Sequence, residues 1–132
     1  MPDWAAPPRV KAFVTTREGG VSQGAFGTMN LAFSGGDDPA LVRANRDLVA
    51  RWLPGEPAWL RQVHGTAVAD LDGETGEAPT ADAAVTSTPG RVAVVLVADC
   101  LPVFFSRRDG SRVGVANGGC GGISTVVHVP PV

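Results

Sequence analysis

The chain has 132 residues, 44% of them apolar and 18% charged, with a formal net charge of −2 and a pI near 5.6. That length is one domain on the usual prior, and the composition is that of a soluble globular fold with enough apolar residues for a core. There is no basic stripe for duplex nucleic acid or an anionic membrane, no apolar run near the roughly 20 residues of a membrane span, and no basic-then-apolar leader in MPDWAAPPRV, so neither nucleic acid nor membrane is an expected partner and the cytoplasm is the expected compartment.

Met1 to Arg9 is a proline-rich lead-in, and Val10 to Val14 alternates as a short strand. Thr15 to Gly24, TTREGGVSQG, offers hydroxyls, Arg17 and three glycines. It suits a backbone that bends sharply or passes close to a ligand, and equally a plain surface loop; it lacks the spacing of a Walker loop. Asp38-Pro39 supplies an N-cap and a first helical residue. Leu41, Val42, Ala44, Leu48, Val49 and Trp52 then recur at helical spacing, with Arg43, Arg46, Asp47 and Arg51 between them. This predicts an amphipathic helix from Pro39 to about Leu53, stopped by Pro54-Gly55, whose arginines read most simply as a solvated face.

Trp59 to Gly65, WLRQVHG, reads as a short strand ending at one of the chain's two histidines, His64, with structural and catalytic roles both open. Residues 70–80, DLDGETGEAPT, are turn-rich and acidic, a solvated loop. Order resumes at Ala81 to Thr86 and passes a Thr88-Pro89-Gly90 turn into Arg91 to Phe105, RVAVVLVADCLPVFF. Val92 to Val97 is β-branched and apolar without interruption, which predicts a central strand buried on both faces. Sites gather at such strand ends, and Asp99-Cys100 sits there; Cys100 is either a reactive thiol or metal ligand, or a small buried hydrophobe. Arg107 to Gly110 is a hairpin turn by composition and Val113 to Ala116 the returning strand. The two cysteines, Cys100 and Cys120, read as free thiols or ligands rather than as a disulfide.

The blocks TTREGGVSQGAFGTMNL, GDDPALVRANR, WLRQVHG, ADAAVT and VADCLPV, in this order over residues 11 to 116, resemble the YfiH family. These are laccase-domain proteins, once called polyphenol oxidases and now regarded as purine nucleoside phosphorylases. The resemblance implies an α/β fold with a central mixed β-sheet flanked by helices, similar to a toxin-type cysteine deamidase. It also implies one laccase-domain unit over residues 1–132, with 117–132 a divergent tail. Chains of the family continue well past this point, so a C-terminally truncated product is expected, with its central sheet partly uncovered.

The resemblance further implies a site in which two histidines and a cysteine gather around zinc, or copper in older readings. The first histidine falls on His64 of QVHG and the cysteine on Cys100 of ADC, which are expected to meet in space. The second histidine belongs to a block that normally reads HAGWRG. Here that block is Asn117 to Gly122, NGGCGG, so Asn117 occupies the third ligand position, with Cys120 a nearby substitute and His128 a remote one. Zinc favours thiolate and imidazole and needs three protein ligands in a catalytic site, so this chain is expected to hold it weakly. Asp99 is placed to orient His64 or a water molecule, or to cap the turn. Arg17 and Arg46 are candidates for phosphate or ribose contacts, and Asn30 and Gln62 for polar orientation; each also has a surface or turn-stabilising reading.

The implied activity is phosphorolysis of adenosine, inosine and methylthioadenosine, with a purine nucleoside and phosphate as partners and adenosine deamination as a side activity. Two other classes stay open: a metal-independent cysteine hydrolase using Cys100 and His64, and an inactive fragment.

Overall fold

A computed structural model describes residues 5–73, 77–97 and 101–117, together with the backbone of 123–128. The described strands are β1 (Lys11–Val14), β2 (Pro57–Ala58), β3 (Val68–Asp70), β4 (Ala83–Thr86), β5 (Val92–Val97), β6 (Pro102–Ser106), β7 (Val113–Asn117) and β8 (Ile123–His128). One α-helix among the described residues, α1 (Pro39–Ala50), and two single 3-10 turns, Gly24–Phe26 and Phe33–Gly35, complete the elements.

The strands form two four-stranded sheets, ordered β1-β8-β5-β2 and β3-β4-β7-β6. Both are mixed: β2 runs parallel to β5 and β3 parallel to β4, and every other pairing is antiparallel. The α/β class and the mixed strand directions agree with the sequence reading, but two sheets share the strands that it gathered into one. The reason lies in β5. Ala93, Val95 and Val97 point into a core shared with Ala69, Ala84, Val113 and Val115 of the second sheet and with Leu71 just after β3, whereas Val92 and Val94 pack with Phe13, Leu53 and Trp59 on the opposite face. The unbroken apolar run thus marks a strand covered on both sides, one of them by a second sheet rather than by a helix. Each buried valine contributes about 1.5–3 kcal/mol relative to exposure.

Helix α1 starts where the capping signal puts it: the Asp38 carboxylate accepts the Ala40 N–H at 2.9 Å, with Pro39 in the first turn. It buries Val42, Asn45 and Val49 along one stripe. It ends at Ala50, three residues before the predicted stop, so Leu53 turns inward and Trp52 stands 82% exposed instead of joining the apolar face.

The segment 59–65 is not a strand; a single bridge from Arg61 to Thr80 is its only ladder-like pairing among the described residues. The turn at Arg107 to Gly110 forms as read, the Gly110 N–H donating to the Arg107 carbonyl at 3.0 Å with Gly110 at φ 74°, and the loop closes where Ser106 pairs with Val113. Within 117–132, read from the sequence as a divergent tail, Ile123–His128 pairs on one side with β1 and on the other with β5, making it an interior strand of the first sheet. A valine-containing segment with two open strand edges beside it finds its hydrogen bonds there irrespective of the glycines that precede it.

Candidate functional site

A cleft of about 580 Å³ opens among α1, the 30–35 turn, the 59–64 segment and the ends of β5 and β7. Asn30, Arg46, Gln62, His64 and Asn117 all line it, so five positions singled out in the sequence converge on one cavity. Arg17 is not among the lining residues. Its guanidinium donates to the Ala25 carbonyl at 3.2 Å and its own carbonyl accepts the N–H groups of Thr28 and Met29, which makes it an organiser of the glycine-rich loop. Asp99, Cys100 and Cys120 lie outside the described residues, as does the side chain of His128.

His64 is held in the left-handed region at φ 58°, the one non-glycine residue with positive φ among the described residues. Such a backbone is uncommon outside glycine and persists where its surroundings fix it. Here the fixing group is Asp82. Its carboxylate accepts the backbone N–H groups of Val63 at 3.1 Å, His64 at 2.9 Å and Gly65 at 3.0 Å. Its own carbonyl accepts the N–H of Asn117 at 2.9 Å. Asp82 is 5% exposed; burial pushes its carboxyl upward, but the three backbone donors outweigh that and hold it below the ordinary aspartate value. One residue therefore fixes both the turn that carries His64 and the end of the strand that carries Asn117.

Gln62 reaches the cleft wall with its amide already engaged. Its Nε2 donates to the Leu96 carbonyl at 2.9 Å and its Oε1 accepts the Leu96 N–H at 2.6 Å, so the side chain acts as a strand neighbour to β5 where β2 has ended. This ties residues 62–64 to the C-terminal end of β5. Asn30 is similarly committed: its Oδ1 accepts the Ala32 N–H at 3.1 Å and its Nδ2 donates to Asp37 at 3.1 Å. Both residues shape the cleft through the backbone around them.

Arg46 keeps capacity to bind. Its guanidinium carbon lies 4.0 Å from the Trp59 ring centroid and 4.5 Å from that of Phe33, and its Nε donates to the Leu31 carbonyl at 2.9 Å. Two rings pack against the group, and its Nε is already engaged. The two Nη groups have no hydrogen bond to the described residues, and they form the planar fork that matches an oxyanion. Half-buried, the group has its pKa lowered to about 10 by desolvation, and it stays cationic at neutral pH.

Behind this cation sits Asn45, wholly buried. It donates to Ser22 Oγ at 2.9 Å and to the Asn30 carbonyl at 2.8 Å, and accepts the Val21 N–H at 2.7 Å. Gly20 passes so close that a Cβ would collide with the Thr28 carbonyl and Asn45 Oδ1. The glycine-rich loop is thereby fastened to the helix that presents Arg46.

The sequence reading missed Asp82, Asn45, Arg61 and the aromatic pair Phe33 and Trp59. A carboxylate among small apolar residues, as in Ala81-Asp82-Ala83-Ala84, was the signal for the first, because a buried charge has to be paid in hydrogen bonds.

The family described as multi-copper polyphenol oxidoreductase laccase matches residues 11–129. The chain belongs to that family. Among its curated relatives, the purine nucleoside phosphorylase of Pseudomonas aeruginosa is 44% identical over 126 residues, covering 96% of this chain and 51% of the relative. The purine nucleoside phosphorylase YfiH of Escherichia coli is 43% identical over 125 residues, covering 93% and 51%. A crystal structure of Neisseria meningitidis protein NMB0706 superposes with a TM-score of 0.83 at 45% identity, over 89% of this chain and 48% of that one. YlmD from Geobacillus stearothermophilus gives 0.76 at 28% identity, over 85% and 46%. The chain spans about half the length of the curated relatives it matches.

The family's description names copper, and the donors present can be tested against a metal. Among the described residues no three histidine, cysteine, aspartate or glutamate side chains gather. At the cleft, His64 is the single imidazole among the described residues, Asn117 offers an amide, and the Asp82 oxygens already accept three N–H groups. The described residues alone do not make a metal site. No described helix is long and apolar enough to cross a membrane.

Proposed function

We propose that the cleft binds a purine nucleoside with inorganic phosphate and that the activity of the site is phosphorolysis, with adenosine, inosine and methylthioadenosine as substrates and adenosine deamination as a side activity. The glycosidic carbon–nitrogen bond breaks, its electron pair leaves on the purine nitrogen and is met by a proton, and a phosphate oxygen bonds to the sugar carbon. In this reading Arg46 holds the phosphate, His64 handles the proton, and Cys100 and Asp99, which follow β5 in sequence, act beside His64. Positioned cations and donors supply most of the stabilisation such a transfer needs.

The observation that supports this best is the Arg46 fork, fixed between Trp59 and Phe33 with both Nη groups directed to no described partner. The printed names of relatives at 43–44% identity agree with it. The test is purine release from inosine with and without phosphate, with sugar phosphate formed in equal amount. Arg46→Gln is expected to raise the phosphate KM about 10- to 100-fold, the scale of a lost bidentate charge-assisted contact. Turnover that ignores phosphate and is abolished by thiol alkylation would favour a cysteine hydrolase instead.

A further inference from the structure

We infer that Arg61 is a second oxyanion-contacting residue of this cleft and that it selects a phosphoryl group over a carboxylate; the inference rests on the phosphorolysis reading for the identity of the anion. Arg61 lines the cleft with Arg46 and His64, and no carboxylate does so among the described residues. The guanidinium of Arg17 is already engaged with the Ala25 carbonyl. That of Arg61 has neither hydrogen bond nor ion pair among the described residues.

Its root is nevertheless fixed. The Arg61 N–H donates to the Pro79 carbonyl at 2.8 Å, and its carbonyl accepts the Ala81 N–H at 3.1 Å, one residue before the Asp82 clamp. The chain therefore spends two backbone hydrogen bonds on aiming a side chain whose charged head is left unpaired. Trp59, Leu60 and Phe33 give the cleft low-dielectric walls, which concentrate the field of two cations lining it with no carboxylate beside them in the described lining.

The selectivity follows from counting oxygens. A carboxylate has two, and the Arg46 fork accommodates both. A phosphate bound to the same fork still presents oxygens outward, where the exposed Arg61 side chain can close on them. Arg61 should strengthen phosphate binding and leave carboxylate binding almost unchanged.

The experiment is a pair of NMR titrations of the full chain with sodium phosphate and sodium acetate at constant ionic strength, following the Trp59 indole N–H, repeated on Arg61→Gln and Arg46→Gln. Arg61→Gln alters an exposed side chain and keeps both backbone bonds, and a thermal melt confirms that it folds. Arg46→Gln is expected to weaken both anions. Arg61→Gln is expected to weaken phosphate roughly tenfold, the scale of one charge-assisted contact, and acetate less than about twofold. Equal loss for the two anions, or unchanged phosphate affinity in Arg61→Gln while Arg46→Gln loses it, would overturn the role of Arg61 and leave the phosphate site standing. No phosphate binding by the unaltered chain would overturn both.

Discussion

The Asp82 carboxylate accepts the backbone N–H of His64 at 2.9 Å, and the two flanking N–H groups join it, so a buried anion holds an imidazole-bearing residue in a left-handed turn. The hydrogen bonds go to the backbone of His64, which leaves its ring free to face the cleft. Those hydrogen bonds set where His64 sits.

Asp82→Asn should therefore destabilise the fold and displace His64 together. An amide has one acceptor oxygen and turns an NH2 toward donors that need an acceptor, so the expected loss at neutral pH is about 3 kcal/mol, the scale of leaving one or two buried donors unsatisfied. Chemical denaturation measures it. A loss below the error of the extrapolation would show that the turn stands without the clamp.

The same carboxylate sets a pH dependence. An unfolded aspartate titrates near 3.9, whereas folded Asp82 titrates lower because the three N–H groups outweigh burial. The clamp's contribution is thus complete above about pH 4 and is lost as pH falls through the lower folded value, where the unfolded chain binds the proton first. Asp72 behaves alike, its burial outweighed by bonds from Thr86, Ser87 and Thr88. Stability measured from pH 6 to 2 should fall in that acid window, and Asp82→Asn should flatten the fall without removing it.

Gln62→Leu tests the link between the cleft and β5. Leucine fills similar space but abandons the N–H and carbonyl of Leu96, with an expected cost of about 2 kcal/mol. Amide exchange at Leu96 should accelerate in the variant; unchanged protection there would mean that water or another group replaces the side chain at no cost.

Much of this was legible in the sequence. The Asp38-Pro39 start of α1, the doubly buried β5 and the hairpin turn at 107–110 each rest on local signals, a cap, a β-branched run and a turn composition, that need no knowledge of the rest of the chain. The division into two sheets was not legible, because Val92 to Val97 reads alike whether a helix or a sheet covers it. Nor were the roles of Gln62 and Asn30, since an amide that pairs with a backbone 34 residues away is indistinguishable in sequence from one that faces a ligand. Arg46 was visible as a candidate, but its neighbours on the helix, Arg43 and Arg51, are exposed as the solvated-face reading holds, and only the aromatic pair separates the three.

Gly20→Ala probes the loop fastening. The added methyl would meet the Thr28 carbonyl and Asn45 Oδ1, both already held by hydrogen bonds, so neither can yield without breaking one. The expected destabilisation is about 1–3 kcal/mol, as for overpacking elsewhere. Arg46 should loosen with it, which a weaker response of the Trp59 fluorescence to phosphate would report.

The last prediction concerns the third ligand position. Asn117 lines the cleft with His64, and its backbone N–H is anchored on the Asp82 carbonyl, so the two positions are fixed to one residue. A neutral amide oxygen suits zinc much less than imidazole nitrogen does, and a single described imidazole is far short of the three protein ligands of a catalytic zinc site. This chain is therefore expected to bind zinc weakly, below one equivalent after dialysis. Asn117→His replaces the amide with an imidazole on a strand end whose backbone hydrogen bond is unaffected, and should raise both stoichiometry and affinity, by roughly the 10- to 100-fold that even outer-shell changes produce in metal sites. Phosphate-dependent purine release, followed in the same two proteins, separates metal loading from activity. Tight one-to-one zinc binding by the unaltered chain would show that residues other than His64 and Asn117 complete the ligand set, and Cys100 and Cys120 would then be the first positions to substitute.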